Sequence, residues 1–230
     1  MHDTSSGATT APAFPMQSTA LMLHGAAGAL ELACDLPESN HARAGVAIVC
    51  HPHPLQGGTM FNKVVTTLGR SFVELGLATV RFNFRGVGQS EGAHDEGRGE
   101  ADDLVAIAEW VRRERPGDVL WLAGFSFGSY VVLRAAATLD PAQIVLAAPP
   151  VGRWDFTGIE LPSCPMMIVQ GDEDDVVDAQ AVYAWAEQQM PKPNVVRMPE
   201  TGHFFHRRLI DLRGAVKNAV RDHLPPPRSA

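Results

Sequence analysis

The sequence predicts a doubly wound α/β fold, a mostly parallel sheet with helices on both faces, and three observations carry that expectation. Six short apolar runs recur along the chain. Segments with helical periodicity fill the gaps between them. One junction, LAGFSFGSYV at residues 122–131, sets a serine between two phenylalanines, with a glycine two positions away on each side, directly after an apolar run. Glycine inside a strand normally weakens it. The pattern therefore marks a backbone turned too tightly to accept a Cβ at either glycine.

The elements follow in chain order. ALMLHG and ALELACDLP, separated by AAG, read as an N-terminal antiparallel hairpin. The six runs are GVAIVC (45–50), ATVRFNF (78–84), VLWLAG (119–124), QIVLAA (143–148), PMMIVQ (165–170) and NVVRMP (194–199). Several are apolar without alternation, as strands buried on both faces of a parallel sheet are. Helices are expected over 61–75, 100–114, 127–138, 178–189 and 205–220. In the second, Leu104, Ile107, Ala108 and Val111 share a face, and Glu100, Asp102 and Asp103 open the helix while Arg112 and Arg113 close it. That charge order complements the helix dipole, and Gly117 supplies a stop. In the last, Leu209, Leu212, Val216 and Val220 share a face. The chain contains no internal repeat.

A chain of 230 residues fits one domain, placed at 19–224. Residues 1–18, MHDTSSGATTAPAFPMQS, are small, polar and proline-containing, and are expected to be a mobile tail without signal-peptide features. Residues 225–230 are expected to be a disordered end. No apolar run approaches the roughly 20 residues that a membrane helix needs. With 19 basic and 26 acidic residues the formal net charge is −7, which argues against nucleic acid or an anionic membrane as partner. The three cysteines, Cys34, Cys50 and Cys164, are widely spaced and contain no CxxC, so they form neither a zinc site nor a disulfide framework. They suit a reducing, cytoplasmic location. The sequence leaves the oligomeric state open.

Gly124-x-Ser126-x-Gly128, between a strand and a helix, has the form of a nucleophile elbow, which lifts the serine oxygen above the sheet. The helix N-terminus behind Ser126 favours developing negative charge. A serine hydroxyl is a weak nucleophile; it needs a base, and the base needs an orienting acid. Downstream, QGDEDDVV supplies Asp172, Glu173, Asp174 and Asp175 just past a strand, and TGHFFHRRL supplies His203 just past the last strand. His206 falls inside the next expected helix, and His24, His94 and His223 lie in no motif, so they receive no role.

GFSFGS, QGDEDDVV and TGHFFHRRL, together with CHPHPLQGGTM and VRFNFRGVGQSEG, resemble the α/β-hydrolase superfamily over residues 19–223. The nearest resemblance is to small cap-less serine hydrolases related to dienelactone hydrolases and carboxylesterases. The resemblance implies a serine hydrolase acting on carboxylic esters, with Ser126 as nucleophile, His203 as base and Asp174, the second aspartate of the G-D-x-D-like run, as the acid. It also implies an oxyanion loop at CHPHPLQGG. Phe127 supplies one backbone N–H, and Pro52 and Pro54 can supply none. The second donor is therefore Leu55 or His53, and the nearby Gly57-Gly58 pair favours Leu55. His51 and His53 have no carboxylate or cysteine partner with metal-ligand spacing, and no cofactor motif is present, so neither metal nor cofactor is expected. Arg85 in RGVGQSEG reads as structural.

The segment between the strands ending near Pro150 and beginning near Pro165 is too short for a lid. Phe125, Phe204 and Trp154 are candidate pocket walls, with Phe127, Phe205, Leu55 and Phe156 beside them. Amidase, thioesterase, peptidase and acyltransferase chemistry could use the same machinery, and a non-catalytic binding scaffold is the reading from another class.

Overall fold

The computed structural model describes residues 11–228. Eight strands form one sheet: β1 (Thr19–Gly25), β2 (Gly28–Asp35), β3 (Gly45–Cys50), β4 (Ala78–Phe82), β5 (Val119–Phe125), β6 (Gln143–Ala147), β7 (Met166–Gly171) and β8 (Asn194–Met198). Their spatial order is β1-β2-β4-β3-β5-β6-β7-β8. The hairpin β1–β2 is antiparallel and β2 pairs antiparallel with β4; every other pairing is parallel. Five helices flank the sheet: α1 (Lys63–Glu74), α2 (Arg98–Glu114), α3 (Phe127–Leu139), α4 (Ala179–Glu187) and α5 (Leu209–Ala219).

Two apolar layers sandwich the sheet. Leu120 and Leu122 of β5 face one layer with α2, α3 and α4, while Trp121, Ala123 and Phe125 face the other with α1 and α5. Every residue of β3, β6 and β7 is buried, which is why these strands read as continuous apolar runs. Between β6 and β7 the chain makes turns and one short bridge, Val151 to Trp154, and no helix, so the sheet carries no lid there.

The expected last helix starts four residues late. Phe205 and Arg207 adopt positive φ values of 51° and 60°, and turns closed by Phe205 N–H to Gly202 and Arg208 N–H to Phe205 replace the first helical turn. His206 consequently sits on an exposed turn and not within a helix.

Parts of both terminal segments pack against the domain. Residues 1–10 lie outside the described residues. The rest of the N-terminal segment is anchored: the Trp110 indole N–H donates to the Pro12 carbonyl at 2.7 Å, and Phe14 stacks on Trp110 beneath the Arg115 guanidinium. The apolar Phe14 side chain gains burial that composition alone does not reveal. At the other end, residues 225–228 run beside Arg43. Ala44 N–H donates to Pro226, Arg228 N–H donates to Ala42, and the Arg228 guanidinium pairs with Asp118. The prolines of this segment lack donors but keep their carbonyls, and those of Pro225 and Pro226 accept from the Arg43 guanidinium and Ala44 N–H.

Candidate active site

The site lies above the carboxyl ends of β3, β5, β7 and β8. Ser126 follows β5 directly and adopts φ 52° and ψ −121°, a strained conformation for a residue with a side chain. Strain of this kind costs about 1–3 kcal/mol and persists only where the surroundings enforce it. Here they do. Ser126 N–H donates to Ala147, Ser129 N–H donates to Ser126, and the Ser129 hydroxyl donates to Gly124 at 2.8 Å. The glycines are sterically required. A Cβ at Gly124 would lie 2.3 Å from the Gly128 carbonyl carbon, and one at Gly128 would lie 2.4 Å from the Cys50 oxygen. Gly128→Ala should therefore destabilise the fold by about 1–3 kcal/mol through overpacking against backbone that cannot yield. A lowered urea midpoint with unchanged slope checks this, and an unchanged midpoint contradicts it.

Three side chains converge at the elbow. His203 Nε2 lies 3.0 Å from Ser126 Oγ, and His203 Nδ1 lies 2.8 Å from Asp174 Oδ2. The imidazole is buried, packed on the Phe125 ring with 5.1 Å between centroids. Asp174 Oδ1 accepts backbone N–H bonds from Val176 and Val177 at 2.9 and 2.7 Å. Burial alone would push this carboxyl up, but the hydrogen bonds from His203, Val177 and Val176 outweigh it and hold the pKa below the usual carboxylate value. Asp174 therefore remains an anion that fixes the imidazole. Its neighbours are otherwise placed: Asp172 accepts from the Tyr183 hydroxyl and from Arg197, while Glu173 and Asp175 are exposed.

His51 and His53, the two histidines of the HPHP segment, have separate duties. His51 is fully buried, its Nε2 accepting from Phe84 N–H at 3.0 Å and its Nδ1 donating to the Pro52 carbonyl at 2.6 Å. Both nitrogens are thus occupied in the neutral form, with no lone pair left for a metal. Burial lowers the His51 pKa to about 4, against a smaller raising effect of the Pro52 bond. A histidine depressed from 6.5 stabilises the fold fully above pH 6.5, and that contribution is lost as pH falls toward 4. Urea unfolding should show stability declining across that window, and His51→Gln should flatten the decline. An equally steep decline in the variant would exclude His51 as its source.

His53 caps a single 3₁₀ turn, Pro54–Gln56, and its Nδ1 accepts the Leu55 N–H at 3.2 Å. The Leu55 N–H, one of the two donors expected for the oxyanion, is thus engaged by the His53 ring, and the Leu55 side chain is 75% exposed. Gly57 makes the left-handed end of that turn, and Gly58 packs where a Cβ would meet the Pro52 oxygen. His53 lies on the nucleophile side, its ring 5.0 Å from that of Phe127.

The expected walls divide. Phe204 is partly exposed beside His203, and Trp154 packs on Phe127 and His53 at 4.8 and 5.7 Å. Phe125, Phe127 and Phe205 are buried, so Phe125 backs the imidazole and is not a wall of the opening. Open clefts of about 440 and 460 Å³ flank Trp154. Sequence reasoning passed over His94, whose ring lies 5.5 Å from Phe127 and whose Nδ1 meets the buried Glu100 at 2.8 Å. A histidine in no motif gives no signal until the fold brings it here. Arg85, expected to be structural, makes a two-pronged pair with the buried Asp103 at 2.7 and 2.8 Å. The three cysteines are unpaired, and burial raises their thiol pKa values, that of Cys164 to about 11, which keeps them protonated.

Among the described residues no helix is long and apolar enough to cross a membrane. The family model of the alpha/beta hydrolase fold matches residues 21–155, and the chain belongs to that family. More narrowly, it is similar to a lidless α/β serine hydrolase from Xanthomonas campestris, 55% identical over 94% of this chain and all of that one, with a TM-score of 0.91. A serine hydrolase homologue from Coxiella burnetii is 43% identical over 90% of this chain and all of that one, with a TM-score of 0.87. An uncharacterised protein of Rickettsia prowazekii is 38% identical over 144 residues, which is 60% of this chain and 60% of that protein's length.

Proposed function

We propose that the protein is a serine esterase that cleaves small carboxylic esters through an acyl-enzyme intermediate. The observation that carries this reading is the continuous hydrogen-bonded chain from Ser126 Oγ through the His203 imidazole to the ionised Asp174. His203 Nε2 takes the Ser126 proton as Oγ attacks the ester carbonyl carbon, and Asp174 stabilises the imidazolium. The tetrahedral oxyanion is held by the N–H of Phe127, at the free start of α3, and by the N–H of His53. Collapse expels the alcohol, which takes the proton from His203. Water, deprotonated by the same imidazole, then attacks the acyl carbon, releases the acid and returns the proton to Ser126. The partner is thus a small-molecule ester, and the three unpaired thiols fit a reducing cytoplasm.

Purified protein should hydrolyse short-chain aryl esters without added metal or cofactor, and a fluorophosphonate probe should label Ser126. Absence of labelling and of turnover would mark a binding scaffold on the same fold. Because no lid covers the elbow, kcat/KM should fall as the acyl chain lengthens from acetyl and butyryl to dodecanoyl esters. Faster turnover of long-chain, micellar substrates would contradict the open-site reading.

A further inference from the structure

We propose that Gln170 is a positioning residue for the reaction: its side-chain amide locks the Asp174 carboxylate, and through it the His203 imidazole. The inference rests on the reading of Ser126, His203 and Asp174 as the reacting set. Gln170 is the penultimate residue of β7, and it is wholly buried after the apolar run Met166–Val169. Its Nε2 donates to the Gly171 carbonyl at 3.1 Å and to Asp174 Oδ2 at 2.9 Å. Oδ2 is the same oxygen that accepts from His203 Nδ1.

Both partners of Nε2 are acceptors, which fixes the amide orientation. The flipped amide would press its oxygen against a carboxylate and a carbonyl. In the fixed orientation Oε1 is buried without a donor among the described residues. A buried, unmet acceptor is destabilising, and a leucine or methionine in this strand would avoid it. What the amide provides is the last donor on Asp174. The carboxylate then accepts four bonds: Gln170 and His203 on Oδ2, Val176 and Val177 on Oδ1. Four donors fill its acceptor positions, keep it ionised and stop it from rotating. His203 Nδ1 must then donate, which leaves Nε2 bare toward Ser126. The titratable groups of this assembly are Asp174 and His203. Arg197, the register partner of Gln170 on β8, is taken up by Asp172.

The test uses the full chain and a short aryl ester, with Asp174→Asn as the reference for the triad. Gln170→Met removes the donor at nearly constant volume. It should lower kcat about 10- to 100-fold with KM little changed, the scale expected when a reacting group is slightly misplaced. The low-field proton resonance of His203 Nδ1–H should move in the same variant while the melting temperature holds or rises. Gln170→Glu offers a donor only while protonated, and burial beside the Asp174 anion raises its pKa. Its activity should approach wild type at low pH and fall as pH rises, an alkaline limb that wild type and Gln170→Met lack. Wild-type kcat and an unmoved resonance in Gln170→Met, with Asp174→Asn inactive, would overturn the role of Gln170 and leave the triad standing. A kcat loss that follows a lowered melting temperature, without the alkaline limb in Gln170→Glu, would also overturn it. Full activity in Asp174→Asn would remove the triad reading and this inference together.

Discussion

Ser126→Ala should lower kcat on a short aryl ester by a factor on the order of 10⁶, with KM and melting temperature close to wild type. The size follows from what the substitution removes. Without Oγ there is no covalent step, and His203 has nothing to deprotonate except water. What would remain is the proposed pair of backbone donors, which should alone sustain a residual rate about 10³–10⁴ above the uncatalysed reaction. The fold should survive, because alanine carries the same Cβ at the same strained φ of 52° and the elbow is held by bonds that do not involve Oγ. The measurement is single-turnover and steady-state hydrolysis on freshly purified protein, with loss of fluorophosphonate labelling as a second readout. Activity within tenfold of wild type would mean that another group carries the chemistry.

The parts of the molecule that the sequence made legible are those set by local chemistry. β3 falls at the expected residues because every one of its side chains is buried, so pattern and environment agree. The elbow is legible because its two glycines answer to backbone atoms within 2.4 Å, a constraint that permits one residue type. The place of His203 beside Ser126 follows from chain order and from its position past the last strand. What stayed hidden depends on contacts between segments far apart in the chain. Phe14 meets Trp110 across 96 positions, so residues 11–18 read as a tail by composition alone. The engagement of the Leu55 N–H turns on a hydrogen bond to the ring two residues earlier, which no spacing rule encodes. α5 starts later than its apolar pattern predicts because Phe205 and Arg207 take left-handed conformations that their identities disfavour. In the sequence Gln170 is only the end of a strand, since its contact with Asp174 exists only once that residue has folded back over it.

Asp174→Asn should lower kcat by about 10⁴ while preserving the fold, the scale seen when a triad aspartate elsewhere is made neutral. The local geometry gives the reason. Val176 and Val177 both present N–H groups to Oδ1, so the amide oxygen of the variant must stay there. Its NH₂ then replaces Oδ2 and faces two former donors, His203 Nδ1 and Gln170 Nε2. His203 can meet it only by accepting, which moves the imidazole proton to Nε2, against Ser126 Oγ. A ring protonated there has no lone pair for the serine proton, and the base is lost although every atom is within a few tenths of an ångström of its native place. The neighbouring acids provide the contrast. Asp172→Asn weakens contacts with Tyr183 and Arg197 on the far side of the loop, and Glu173→Gln and Asp175→Asn alter exposed side chains. Each should leave kcat within about tenfold of wild type, since the Coulombic effect of one exposed charge is small in water. Steady-state kinetics of the four variants on one ester decides the register of this loop. A large loss at Asp172 or Asp175 with an active Asp174→Asn would place the acid elsewhere.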